Sequence, residues 1–197
     1  TDTVDSEPLF WKILLDEIDF ENVGFALKMP QDSLFVRTML SKTTLKDGVI
    51  DLKEASYYVK SFGIDNAELA YGPKEELFLQ QIGLQLDSIY YCGKDIRANI
   101  EEFVLKERSG LELVSTEGRI VSDSVLIEIP KFTMKTTASS LDLQTKIGWD
   151  VLEMKKTGVL SARINAEIGK GDVAKILGGR DTLFLQTYPN KPFVFRA

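Results

Sequence analysis

The chain has 197 residues, 44% of them hydrophobic, and its 24 Lys and Arg against 30 Asp and Glu leave a net charge of −6. That apolar content supplies a sizeable core and excludes a disordered chain, while basic residues scattered singly (Lys12, Lys28, Lys42, Lys46, Lys53, Lys60) lack the clustered footprint of a nucleic-acid binder. No histidine is present, which removes the commonest metal ligand, general base and pH switch together, and argues against an enzyme.

Trp11 to Met29 alternates apolar and polar residues in steps of two, as Ile18 and Phe20, then Phe25 and Leu27, and reads as two strands either side of a kink at Glu21 to Gly24. Pro30-Gln31-Asp32-Ser33 reads as a turn, Leu34 to Leu45 as a strand, Lys46-Asp47-Gly48 as a tight hairpin turn, and Val49 to Leu52 as a short strand. Tyr57 to Phe62 and Ile64 to Tyr71 continue the meander up to Gly72-Pro73-Lys74-Glu75-Glu76, the strongest punctuation in the chain.

The pattern restarts at Leu77. Leu84, Leu86, Ile89 and Tyr91 run to a turn at Gly93-Lys94-Asp95, followed by Ile96, Ala98, Ile100, Phe103 and Leu105. Arg108-Ser109-Gly110 and Glu117-Gly118 read as turns; Ser124 to Ile129 reads as a strand ended by Pro130, since proline favours a strand boundary or edge. Val125, Ile127 and Ile129, then Phe132 and Met134, put apolar side chains on one face, and Leu141 to Trp149 and Val159 to Ile168 follow as strands, with Leu143 and Ile164 among their inward residues. Only Asp172 to Leu177 carries a helical signature, with Asp172 as cap and Gly178 as stop; Leu183 to Leu185 and Phe193 to Phe195 read as closing strands.

The fold class read from this pattern is all-β and mainly antiparallel: an elongated curled sheet or β-groove built from faint tandem repeats, with at most one short helix near 172–177. Leu15-Asp16-Glu17-Ile18 has an echo about 71 residues on, in Leu86-Asp87-Ser88-Ile89, and further apolar positions stay in step. The implied organisation is a polar entry segment over 1–10, a first β repeat over 11–72, a second over 73–157, and a partial third repeat or closing strands over 158–197. The start TDTVDSEP carries neither an initiator Met nor a signal peptide, and leads to the expectation of a section of a longer protein.

Three blocks carry a family likeness: WKILLDEIDFENVGFAL, then GVIDLKEASYYVKSFGIDNAELAYG, then SGLELVSTEGRIVSDSVLIEIPKFTMKTTASSLDLQTKI. In the last, an apolar pair follows Ser109-Gly110, a further strand follows Gly118, and Thr136-Thr137-Ala138-Ser139-Ser140 precedes another strand at Leu141. Over roughly residues 10 to 185 the chain resembles the AsmA-like and TamB group of Gram-negative envelope proteins. That resemblance implies a periplasmic section of a protein anchored in the inner membrane, whose apolar β-groove carries phospholipid between membranes. It also implies a role in outer-membrane protein assembly with a barrel partner of the TamA type, contacted through other parts of the full protein.

The groove lining on this reading is Ile18, Phe20, Phe25, Leu27, Leu84, Leu86, Ile89, Ile96, Ile100, Val125, Ile127, Ile129, Phe132, Met134, Leu141, Leu143 and Ile164. Its partners are phospholipid acyl chains and, through exposed strand edges, further copies of the sheet; no catalytic residue, cofactor or metal is called for. The same aliphatics also fit the core of a self-contained β-sandwich that recognises carbohydrate or protein through its loops, the alternative reading. Gly169-Lys170-Gly171-Asp172 lacks the spacing and the Lys-Ser or Lys-Thr of a phosphate loop, and acid pairs such as Asp16 with Asp19 fit solvated strand faces better than glycosidase chemistry. Cys92 reads as a small half-buried hydrophobe, and the neighbouring pairs Tyr57-Tyr58 and Tyr90-Tyr91 split between sheet faces instead of forming a stacking platform.

Overall fold

The structure is a computed structural model that describes residues 10–29, 34–72, 74–155, 157–178 and 182–197. Ten strands form one open, curled antiparallel sheet: β1 (Lys12–Met29), β2 (Leu34–Asp51), β3 (Ser56–Tyr71), β4 (Leu77–Cys92), β5 (Asp95–Glu107), β6 (Glu112–Ser122), β7 (Leu126–Thr136), β8 (Ser140–Gly148), β9 (Leu160–Ile168) and β10 (Phe193–Arg196). Spatial order follows chain order throughout, and strand length falls from 18 residues in β1 and β2 to 4 in β10. Three short helices, α1 (Trp149–Leu152), α2 (Lys170–Leu177) and α3 (Thr182–Thr187), lie beside the narrow end of the chain order. The all-β, curled-sheet class expected from the alternation is the one observed.

The long strands are creased without being interrupted. Asn22 has φ of 54°, yet Glu21 lies opposite Lys42 and Val23 opposite Leu40, so the β1–β2 register runs straight through it. Asp47 has φ of 51° between Lys46, opposite Glu17, and Gly48, opposite Leu15. Asn66 in β3 and Gln81 and Ser88 in β4 are creased in the same left-handed way. Asn and Asp enter that region more readily than other non-glycine residues, and at Asn66 the creased backbone carbonyl is taken up across the strands, where Ser41 Oγ donates to it at 2.7 Å. Each crease advances the in-and-out alternation by one step: a Cβ added at Gly48 would lie 3.2 Å from both Leu15 Cβ and Leu45 Cδ2, so Leu45 and Gly48, three apart, share a face.

These creases correct the sequence reading. Glu21 to Gly24 does not divide two strands, Lys46-Asp47-Gly48 is not a hairpin turn, and Glu117-Gly118 lies inside β6; left-handed Asn and Asp looked like turns because turns use the same backbone. Pro130 does not end a strand: it sits inside β7, where register shifts on both sides accommodate a residue that cannot donate to the ladder. Leu183 to Leu185 belongs to α3 instead of a strand, and α1 begins at Trp149, where a strand was expected to continue. The punctuation after Tyr71 falls between strands, where β3 ends opposite the start of β4 with Tyr71 facing Leu77. The expected turn at Pro30 to Ser33 lies outside the described residues, as does nearly all of the entry segment over 1–10.

Helix α2 starts after Gly169 as N-cap and stops at left-handed Gly178, whose φ is 56°. Asp172 is therefore not the cap. Its carboxylate, 2% exposed, reaches across to the β7–β8 turn and accepts bonds from the hydroxyls of Thr136, Ser139 (2.6 Å) and Thr137 (3.2 Å) and from the Ala138 N–H (3.3 Å). Burial acts to raise the Asp172 pKa, but these donors outweigh it and hold the carboxyl below its usual range. A single sheet has no second layer to close a core, and the only buried hydrophobic residues among those described are Ala67 and Ala70.

Candidate functional site

The register places one residue from each of nine strands in a line: Ile18, Leu45, Phe62, Leu86, Ile100, Gly118, Phe132, Leu143 and Ile164. The line carries no charge and no polar side chain. Its one gap is covered from next door, since a Cβ on Gly118 would meet Phe132 Cδ2 at 2.8 Å, which puts the ring over the glycine backbone. Nine strands at about 4.8 Å spacing make a stripe about 38 Å long.

Further apolar rows flank it on the same face. Phe20 and Leu84 fall in a row with Thr43 and Ile64; Met134 and Leu141 in one with Thr116 and Ala166; Ile96 and Ile127 in one with Ile13, Ile50, Tyr57, Tyr91 and Ile147. Ile89 lies with Leu15 and Val59, and Ile129 with Thr145 and Ala162. Phe25 and Leu27 extend the face towards the far end of β1, where they stay strongly exposed. Val125 stands apart from the other sixteen named residues: it sits in the turn before β7, 66% exposed, with its N–H bonded to Asp123 Oδ1 at 2.7 Å. The turn at Asp123 takes up the residue that simple alternation counted into the strand.

The sheet curls around this apolar face. On β8, Leu141, Leu143, Thr145 and Ile147 are half-buried or buried, while Asp142, Gln144 and Lys146 between them are exposed. Charges gather on the outer face in cross-strand pairs: Lys46 with Glu17 at 2.9 Å, Lys60 with Asp47 at 3.0 Å and Lys146 with Glu128 at 3.0 Å. Tyr57 packs on Tyr91 with ring centroids 5.9 Å apart, and Arg97 covers Tyr90 at 5.5 Å, so each tyrosine pair is divided between faces. Among the described residues no group of three or more Cys, Asp and Glu is placed to hold a metal ion.

Polar atoms on the inner face are few, and most are bonded to the backbone: Thr38 to the Glu68 carbonyl, Thr145 to that of Ser161, Ser122 to that of Lys94. The buried hydroxyls of Thr43 and Thr116 have no partner. Beside α1, Lys155 and Lys94, the latter from the β4–β5 turn, both bond Glu153 and hold its carboxyl down to about 2, while Lys94 also lies 5.0 Å over the Trp149 ring. The arrangement is an uncharged apolar surface spread across nine strands of one curled sheet.

No family model, curated protein or solved structure matches this chain.

Of the nine residues in the central line, the sequence reading named six and left out Leu45, Phe62 and Gly118. The signal was there: stepping by three at each crease, instead of two, joins Phe20 to Val23, Leu45 to Gly48, and Leu86 to Ile89 on one face.

Proposed function

We propose that this chain is a non-enzymatic periplasmic section of an envelope-biogenesis protein of the AsmA-like and TamB type, anchored in the inner membrane through another part, whose curled sheet accommodates phospholipid acyl chains. On this reading it serves phospholipid transfer between inner and outer membranes, outer-membrane protein assembly, or both, with the barrel partner of the TamA type contacted elsewhere in the full protein. The observation that carries the reading is the uncharged line from Ile18 to Ile164, half-buried by curvature and covered by no second layer among the described residues. Its length of about 38 Å is more than twice the roughly 15 Å of one bilayer leaflet's hydrocarbon, so a whole acyl chain fits along it. Acyl chains need no polar partner, and each buried methylene contributes about 0.8 kcal/mol. The sandwich alternative loses its architecture, because all ten strands lie in one sheet.

Lipid extraction and mass spectrometry of protein purified from Gram-negative cells test this. Phospholipid is expected with the wild-type chain, and Ile100→Asp, at the centre of the line, is expected to lower it by at least about tenfold while strand content by circular dichroism is kept, because a carboxylate there forces an uncompensated charge against hydrocarbon. Wild-type protein that carries no phospholipid, and takes up no labelled phospholipid from vesicles, overturns the reading.

A further inference from the structure

The β1 edge carries a partner requirement of its own. Among the described residues β1 pairs only with β2, so over its 18 residues the other side offers N–H and C=O groups with no described partner strand, whereas the opposite edge, β10, has only 4 residues. Long edges attract strands, and proteins normally blunt them with lysine, proline or shortness; β1 has lysine only at its ends, Lys12 and Lys28, and no proline. Its outer-face side chains instead form an exposed acidic column, Glu17, Asp19 and Glu21. Opposite them on β2 stand Lys46, Thr44 and Lys42, with Lys46 paired to Glu17 and the Thr44 hydroxyl donating to Asp19 at 2.6 Å. In the row of Glu21 the sign continues to alternate inward: Lys42 on β2, then Asp65 on β3.

From this column we infer that β1 is a docking edge for an antiparallel β-strand of another polypeptide, one that presents Lys or Arg at alternate positions against Glu17, Asp19 and Glu21 and apolar side chains at the positions between. Such a strand continues the alternation of charge on the outer face and extends the apolar rows on the inner one. A second copy of this chain fits poorly. Antiparallel β1–β1 pairing centred on Asp19 sets acid against acid, offset registers bring Lys12 or Lys28 to only one of the three acids of each copy, and β10 brings a single cation, Arg196, on four residues. Lipid binding and strand addition use different parts of the sheet, its inner face and its β1 edge, and succeed or fail separately.

The test is fluorescence anisotropy of the full chain with a labelled peptide of about ten residues, a usual strand length, carrying Lys at alternate positions among Val and Ile, against the same peptide with Glu for Lys. The basic peptide is expected to bind at least about tenfold more tightly, from three opposite-charge pairs against three like-charge ones. Hydrogen exchange is expected to slow at β1 amides and not at β10. The combined variant Glu17→Lys, Asp19→Lys and Glu21→Lys is expected to reverse the preference. If that variant does not fold, the wild-type comparison at about 1 M salt decides, since a screening length of about 3 Å there must erase the preference. Binding of neither peptide, equal binding of both, protection away from β1, or a concentration-dependent dimer of the chain that protects β1 by itself each overturns the proposal.

Discussion

Asp172→Asn removes one charge and almost no volume from the junction between α2 and the β7–β8 turn. Wild-type Oδ2 accepts from the Thr136 and Ser139 hydroxyls and the Ala138 N–H, and all three donors can still reach an amide oxygen. A hydrogen bond to a charged group contributes about 1.5–3 kcal/mol and a neutral one about 0.5–1.5, so neutralisation costs on the order of 1 kcal/mol per bond, about 3 kcal/mol in all. The smaller penalty for burying an amide offsets part of this and leaves a net loss of about 2 kcal/mol. The pH dependence has a definite sign. A carboxyl whose folded pKa lies below the unfolded value of about 3.9 stabilises the fold above that value and loses the contribution as pH falls through its folded pKa. Urea unfolding of both proteins is therefore expected to show the full difference near pH 7 and a narrowing one from about pH 5 to about pH 2, with hydrogen exchange at 136–140 and 170–178 reporting the same trend. A variant as stable as wild type near pH 7, or a deficit that stays constant down to about pH 2, refutes this account of the junction.

Asn66→Val is expected to cost about 1–2 kcal/mol by forcing a β-branched residue into a left-handed conformation, while Asn66→Gly stays close to neutral; thermal unfolding of the pair separates backbone strain from lost side-chain bonding. Gly169→Ala places a methyl against the Ala138 carbonyl oxygen, which belongs to backbone that cannot swing aside, and is expected to destabilise by about 2 kcal/mol in urea titration. Lys94→Ala removes one of two ammonium groups bonded to Glu153, so the Glu153 carboxyl is expected to titrate above its wild-type value of about 2 by NMR, with the thermal midpoint unchanged at this exposed site.

Period-two alternation was legible because every strand has one apolar and one polar face, and the fold class followed from it. Strand number was not, because the residues that crease a strand are those that end one: Asn22 and Asp47 signal a left-handed backbone, and only the partner strand decides whether the chain turns back or runs on. The echo of Leu15 to Ile18 in Leu86 to Ile89 marks a comparable place in β1 and β4, where the alternation slips by one step, while the same offset carries Phe25 onto Ile96 in β5. Asp172 was noticed for its position ahead of a helix, but its partners lie 33 to 36 residues away, beyond what local pattern reveals. Acidic residues on β1 were dismissed as solvated strand face, which they are; that the strand lies at an edge emerged only with the topology.

Strictly sequential strand order also sets how the sheet is made and unmade. From β1 to β8 each strand follows the one before it across a short connection, so the entropic cost of closing each hairpin stays small and the template for a new strand is already in place as the chain is delivered. Tension on the C-terminal end meets the shortest strand first and the longest last, so a chain unravelling from that end must peel away longer strands as it approaches β1, and slows as it goes.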